Sequence, residues 1–327
     1  MVYSGIKYKN GFGVEKDYAK AKKLLEEASR LNNPDSFYFL GDIYENGYGV
    51  EQDYSKAIEY YEKASEFENS HAFLKLGDIY YYGNGIKQDY IKAKDYYEKA
   101  SELNDSTALY RIGYLYEYGQ GVEKDYSIAL KFYEKSSEDE NHNSLYKLGC
   151  FYENGHGVKQ DYLKAKEYYE KSSAFGNLDA NNNLGDLYCY GFGVVQDYMK
   201  AKECYEKSSE FNDSRAFNNL GDLYFNGKGV EQDILKAKEY YEKSSENNNS
   251  DAFNKLGDLY KNGQGVEQDF SKAKKYYKKS SSLGNPTAFN NLGDLYKNGQ
   301  GTKKNYLKAK ECYEKSSEFN NSESFIK

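Results

Sequence analysis

At 327 residues the chain is long enough for two ordinary domains, but 30% of it is charged, it has no Trp, and its mean hydropathy is −0.98. That is too polar for one large core, and the apolar mass is largely aromatic, 39 Tyr and 17 Phe spread evenly along the chain, as expected where each unit packs only on its neighbours. The net charge of −7 comes from interspersed Lys and Glu, which gives no basic stripe for nucleic acid, and no apolar run reaches the roughly 18 residues that membrane insertion needs.

The N-terminus, "MVYSGIKYKN", lacks the charged start and apolar core of a signal peptide. Gly5 then opens a series continued by Gly41, Gly77, Gly113, Gly149, Gly185, Gly221, Gly257 and Gly293, spaced by 36 residues without insertion or deletion. A Tyr follows three residues after each, from Tyr8 to Tyr296, two more glycines follow at six and eight residues, and an Ala at sixteen, from Ala21 to Ala309. A period of this length marks a stacked array.

Within one unit, Ala216, Phe217, Leu220, Gly221, Leu223 and Tyr224 share one face at helical spacing and predict a first helix, A. Asn226-Gly227 ends it, because Gly reaches the left-handed conformation that closes a helix. The loop "GKGVEQD" reverses the chain around Val230, and Asp233 stands where it can N-cap a second helix, B, an interaction of about 1 kcal/mol. Helix B is expected to bury Ile234, Ala237, Tyr241 and Ser244. Acid–Lys pairs four residues apart, such as Glu59/Lys63 and Glu239/Lys243, form a solvated face.

Helix B ends at a column that tolerates the left-handed conformation: Asn32, Asn104, Gly176, Asn212, Asn248, Gly284 and Asn320, with Glu68 and Glu140 as exceptions. Sequons at Asn104, Asn212, Asn248 and Asn320 fall in this column and read as turn chemistry. Pro34 and Pro286 sit just after it, in the first turn of the next helix A. Val2 enters midway through a helix A, and Glu323 to Lys327 begin a tenth, so incomplete units are expected at both ends, either frayed or continued in a longer parent with its own caps. A Gly inside each helix A costs about 1 kcal/mol against Ala. Compensation by close contact is expected, with Tyr241 laid over Gly221.

The pattern A-F-x-x-L-G-D-L-Y-x-N-G-x-G-V-x-x-D-x-x-K-A-x-x-Y-Y-E-K-S-S, around Ala216 to Ser245, resembles the Sel1-like repeat, a relative of the tetratricopeptide repeat. Tyr stands where the family often has Trp, Ser replaces Ala late in helix B, and Thr302 and Asn305 depart in the last loop. The resemblance implies an all-α, right-handed superhelical α-solenoid of about nine 36-residue helix–loop–helix repeats, one array over residues 1–327, with helix A lining the concave side. It also implies an adaptor that binds other proteins or extended peptides.

No catalytic, cofactor or metal site is expected. The repeated Gly-x-Gly lacks a following Lys-Ser/Thr and joins two helices, unlike a phosphate loop. The acidic column from Asp17 to Asp269 is explained by capping. His71, His142 and His156 have no ligand partners at metal spacing. Ser-x-x-Lys occurs at Ser4/Lys7, Ser144/Lys147 and Ser324/Lys327 without its partner motifs. A hydrolase of β-lactam-like molecules, known among cysteine-rich relatives, is the competing class, and a structural spacer the third. The four cysteines (Cys150, Cys189, Cys204, Cys312) do not recur with the repeat. They read as buried thiols, with Cys189–Cys204 the one conceivable bridge, and a reducing, cytoplasm-like compartment is expected.

On the face of helix A opposite its Leu/Tyr stripe, residues at i, i+4 and i+8 align. They read Asn182-Asp186-Tyr190, Asn218-Asp222-Asn226, Asn254-Asp258-Asn262 and Asn290-Asp294-Asn298 in the later units, and Tyr110-Tyr114-Tyr118 in the middle one, flanked by Leu74, Tyr82 and Tyr146. The tyrosines are expected to anchor a protein partner. The Asn/Asp ladder either extends that contact, each amide offering donor and acceptor, or records recent duplication and faces water.

Overall fold

A computed structural model describes residues 1–324. They form eighteen helices in nine A/B pairs. These are α1 (Val2–Asn10) with α2 (Tyr18–Ser29), α3 (Pro34–Asn46) with α4 (Tyr54–Ser65), α5 (Ser70–Tyr82) with α6 (Tyr90–Glu102), and α7 (Ser106–Tyr118) with α8 (Tyr126–Ser137). Next come α9 (His142–Asn154) with α10 (Tyr162–Ala174), α11 (Leu178–Tyr190) with α12 (Tyr198–Ser209), and α13 (Ser214–Asn226) with α14 (Ile234–Glu246). The last are α15 (Ser250–Asn262) with α16 (Phe270–Ser282) and α17 (Pro286–Asn298) with α18 (Tyr306–Ser324). The chain divides into two compact units, Met1–Tyr168 and Tyr169–Lys327. Within each, helix pairs stack in sequence order.

Local chemistry sets the helix ends. Gly227 closes α13 at φ 67° and donates its N–H to the Leu223 carbonyl. The Asp233 carboxylate accepts the Lys236 N–H at the start of α14. Asn305 does the same for Lys308 in the last repeat, so its departure from Asp leaves the cap in place. A second set of caps is not anticipated by the reading above. Asn33, Asn69, Asp105, Asn141, Asn177, Asp213, Asn249 and Asn285 each cap a helix A. The inter-repeat turn is therefore a two-residue device, one residue left-handed and the next capping.

Two expectations about this turn need correction. Glu68 and Glu140 are not exceptions to its geometry, since both adopt φ 57°. The caps at Asn69 and Asn141 and the helix packing on either side impose the turn on a residue that disfavours it. At Asn320 the reverse holds: α18 runs through it to Ser324, with no left-handed break. Of the segment expected to begin a tenth unit, residues 325–327 lie outside the described residues.

The core is a series of small clusters, each joining helix B of one repeat to helix A of the next. Ala237 and Tyr241 of α14 pack with Ala252, Leu256 and Leu259 of α15, all essentially inaccessible; full burial of each Leu contributes about 1.5–3 kcal/mol. The helix A glycine is where the pair closes. A Cβ on Gly221 would lie 2.5 Å from Cε1 and 2.6 Å from Cδ1 of Tyr241, so the expected ring-over-glycine contact is present. In the first repeat Leu25 replaces the ring over Gly5. The last glycine of a loop can serve the junction instead: a Cβ on Gly229 would meet Tyr198 of the preceding repeat at 2.6 Å, whereas one on Gly13, in the first repeat, would meet nothing within 4 Å. The late Ser of helix B has a purpose that Ala lacks. Ser244 Oγ donates to the Ser214 carbonyl at 2.6 Å and Ser280 Oγ to that of Ser250 at 2.7 Å, tying helix B to the start of its own helix A.

Candidate functional site: the helix A face

The acidic member of each ladder stripe is engaged from within its own repeat. The Tyr that covers the helix A glycine points its hydroxyl at this carboxylate. Tyr205 donates to Asp186 at 2.6 Å, Tyr241 to Asp222 at 2.6 Å, Tyr277 to Asp258 at 2.6 Å and Tyr313 to Asp294 at 2.7 Å. In the first unit Tyr97 donates to Asp78 at 2.8 Å, while Tyr61 and Tyr133 reach Glu45 and Glu117. Burial of the phenols, followed by the adjacent carboxylates, holds the hydroxyls of Tyr97, Tyr133, Tyr205 and Tyr241 far above the usual phenol range. Burial also raises Asp186 and Asp258, opposed by the hydrogen bond from tyrosine.

A second partner comes from the next repeat. Lys255 Nζ lies 2.9 Å from Asp222, Asn219 Nδ2 3.3 Å from Asp186, and Asn291 Nδ2 3.4 Å from Asp258. In the first unit Arg111 Nε sits 3.1 Å from Asp78, a charge contact without hydrogen-bond alignment, and Lys147 Nζ 2.9 Å from Glu117. These donors share one column, Lys75, Arg111, Lys147, Asn219, Lys255 and Asn291, which the sequence reading overlooked. The signal was available: a long polar side chain stands 33 or 30 residues after an acidic one, close to one repeat period.

The ladder is accordingly less open than expected. Asn182 is fully buried and donates to Asp213 at 2.7 Å; Asn254 is buried and accepts from Asn291 at 3.0 Å. Neither presents a free amide, because the neighbouring helix A closes over it. Asn218 is half-buried with its Oδ1 turned inward, and Asn290 is exposed. Asp222 and Asp294 are half-buried, as are Asp186 and Asp258.

The tyrosine stripe on α7 is graded. Tyr110 is half-buried against Tyr133, 5.8 Å between ring centres, and burial raises its hydroxyl. Tyr114 is half-buried, 6.4 Å from Tyr81 in an edge-to-face contact and 4.4 Å from Tyr118. Tyr118 is 49% exposed, and Tyr82, its counterpart one repeat earlier, is 53% exposed. Lys147 joins the group, donating to the Tyr118 hydroxyl at 3.1 Å and lying 5.3 and 5.1 Å from the ring centres of Tyr114 and Tyr118. Burial acts to lower the pKa of Lys147, but Glu117 and Tyr118 outweigh it and hold the amine above its usual range. The site is a tyrosine cluster clamped by one buried-stem cation.

Ser144 of the Ser144/Lys147 pair is sealed. Its Oγ donates to Ser136 Oγ at 2.7 Å while Lys147 is held by Glu117 and Tyr118, so Ser144 is not coupled to this amine as a base. Cys189, Cys204 and Cys312 are buried thiols with no disulfide; burial pushes Cys204 up to about 11. Among the described residues no three His, Cys, Asp or Glu side chains assemble as a metal site, and no helix is long and apolar enough to cross a membrane.

The Sel1 repeat model matches nine successive segments, 3–33, 34–66, 71–105, 106–141, 142–177, 178–210, 214–249, 250–285 and 287–318. The chain belongs to the Sel1 repeat family. Two solved structures agree with this Sel1-repeat architecture. A protective antigen of uropathogenic Escherichia coli with an SLR fold is 30% identical over 96% of this chain and 68% of that one, at a TM-score of 0.79. A Sel1 repeat protein of Oxalobacter formigenes is 28% identical over 77% of this chain and 100% of that one, at a TM-score of 0.68. Comparison with curated proteins gives no significant match. The Sel1-repeat chain is thus an all-helical solenoid of nine repeats.

Proposed function

We propose that this Sel1-repeat protein is a non-catalytic scaffold that holds a protein or extended peptide against the helix A face, anchored on Tyr118 and Tyr82. Sel1-repeat folds commonly mediate protein–protein interaction, and the exposure of these two rings carries the reading here. Both occupy the same position in successive repeats, half in solvent, on a backdrop fixed by Tyr81, Tyr114 and Lys147. A rigid aromatic with a wet hydroxyl is a favoured interface anchor. Tyr110 and Tyr114 serve as the platform beneath; in the second compact unit Asn290 and the outer edges of Asn218, Asp222 and Asp294 offer a polar helix A face of their own. The buried thiols support a reducing, cytoplasm-like compartment.

The test is affinity capture with the folded chain followed by mass spectrometry, comparing wild type with the Tyr82→Ala/Tyr118→Ala pair. Both rings are exposed enough to remove without opening the core, so circular dichroism should be unchanged while the captured partner falls sharply. Full capture by the double variant would remove the anchor and with it this reading.

A further inference from the structure

In six repeats a ring from helix B stacks on the Tyr that stands three residues after the helix A glycine. Tyr60 on Tyr44, Tyr96 on Tyr80, Phe132 on Tyr116, Tyr168 on Tyr152, Tyr240 on Tyr224 and Tyr276 on Tyr260 lie 5.5–6.0 Å apart between ring centres. The ninth repeat breaks this ladder. The column that supplies Tyr240 and Tyr276 there holds Cys312, in the same repeat as Tyr296. A second departure stands at the same junction. Burial and Tyr260 raise the hydroxyl of Tyr276, and Glu242 of the preceding helix B adds to it, which places that acid beside the ring. Its column is Glu in the other eight repeats, from Glu26 to Glu314, and Lys278 is the single exception. Glu242 also engages Lys238 at 2.7 Å, whereas Lys274, the equivalent of Lys238, reaches the Gly301 carbonyl at 2.7 Å. At one junction, then, a thiol replaces a ring and an ammonium replaces a carboxylate.

An open pocket of about 380 Å³ lies here between α16, α17 and α18, within the size range of small-ligand sites. Its apolar wall is Phe289, Leu292, Tyr296 and Cys312; the last three are buried, and Phe289 is held against Phe319 at 5.5 Å between ring centres. Its rim carries the exposed amines of Lys278, Lys308 and Lys315 against one carboxylate, Glu311. Every wall belongs to the eighth and ninth repeats. Cys204 is the other cysteine of the ring column, but Asn181 stands there in place of Phe289, and Glu170 in place of Lys278. The sixth repeat therefore lacks both the second aromatic wall and the reversed charge.

We propose that this pocket binds a small planar aromatic molecule bearing an anionic group, its ring in the place of the missing tyrosine and its anion among Lys278, Lys308 and Lys315. The ring regains the stacking on Tyr296 that a helix B tyrosine supplies elsewhere, an arrangement aromatic pairs favour. The anion accepts charge-assisted hydrogen bonds from the rim, which a neutral group receives only in weaker form. Cys312 sets the shape of the ligand and Lys278 the sign of its charge. The site is distinct from the helix A face and does not depend on its tyrosines.

The probes are benzoate, acetate, which lacks the ring, and benzamide, which lacks the charge, each titrated into the full chain and followed by ligand-observed NMR. Benzoate should saturate one site with a Kd of about 1 mM or tighter, the range open to a ligand of its size. Acetate and benzamide should bind at least about tenfold more weakly. On the protein side, Cys312→Tyr restores the ring and Lys278→Glu restores the acid that the other repeats carry. Both changes follow the pattern of the repeat, so circular dichroism should be unchanged, and each should weaken benzoate at least about tenfold. Absence of saturable benzoate binding, or acetate or benzamide binding as well as benzoate, overturns the proposal. Benzoate binding indifferent to either substitution overturns it too, by placing the ligand elsewhere. Tyr82 and Tyr118 lie in the other compact unit, so capture of a partner through them should survive Cys312→Tyr, and the two readings fail or stand separately.

Discussion

Replacing Gly221 by Ala sets two known effects against each other. Helix propensity alone favours Ala by about 1 kcal/mol in a helix interior. Against this, the new Cβ would lie 2.5 Å from Tyr241 Cε1 and 2.6 Å from Cδ1, roughly 1 Å inside ordinary carbon contact. Tyr241 has nowhere to retreat: it is inaccessible, packed on Ala252, Leu256 and Leu259, and its hydroxyl is fixed to Asp222 at 2.6 Å. Overpacking costs about 1–3 kcal/mol, and a weakened hydrogen bond to a charged acceptor about 1.5–3 kcal/mol. The net expectation is a loss of about 3 kcal/mol, and more for Gly221→Val. Guanidinium unfolding followed by circular dichroism measures it, with hydrogen exchange over α13 and α14 to localise the loss, because a solenoid can open at one junction. The double variant with Tyr241→Ala isolates the contact: there Gly221→Ala should be neutral or favourable by about 1 kcal/mol. A single variant more stable than wild type, or two changes that add within about 0.5 kcal/mol, refutes the close-contact argument.

Four further outcomes are expected. Asp233→Ala removes the acceptor of the Lys236 N–H and should cost about 1 kcal/mol, read from the same unfolding curves; no change would mean water caps the helix as well. Deleting 251–286, one period, should leave a shorter folded array with all junction types preserved, whereas deleting about 30 residues there should break a seam; equal loss of helicity in both would deny the stacking. The buried phenols of Tyr97, Tyr133, Tyr205 and Tyr241 stay protonated in the folded chain well above their usual pKa. Above about pH 10 the folded state therefore binds more protons than the unfolded state, and stability should fall by about 1.4 kcal/mol per pH unit per tyrosine. The last part of the tyrosinate absorbance should then appear only together with loss of helix; complete titration of the tyrosines with helix retained would contradict it. Finally, because Ser144 Oγ is spent on Ser136, the purified chain should leave a β-lactam reporter intact, and turnover that Ser144→Ala abolishes would restore the hydrolase reading.

The repeat, the helix boundaries, the caps of helix B and the tyrosine over each glycine were legible because they are local or strictly periodic. Asp233 needs only the N–H groups that follow it, and a Gly that recurs inside a helix implies a ring or backbone against it. The caps of helix A are equally local, carried by the second residue of Asn104-Asp105, Asn212-Asp213 and Asn248-Asn249 at the turns. Glu68 and Glu140 were misread for another reason. Their left-handed backbone is held by packing on both sides, and residue preference alone points the other way.

The face of helix A shows where sequence stops. Periodicity places Asn218, Asp222 and their counterparts on one stripe, and it places Tyr110, Tyr114 and Tyr118 on another, but a stripe has no depth. Depth comes from the neighbouring helices: Tyr241 reaches Asp222 from helix B, Lys255 reaches it from the next repeat, and Asn182 disappears beneath its neighbour. The same packing covers Tyr110 and leaves Tyr118 half in water. Sequence by itself determined which residues form helices and which of them face one another, because those depend on spacing along one chain. Which polar groups are consumed inside the stack and which remain for a partner depends on distances between helices, and only the tertiary structure decides it.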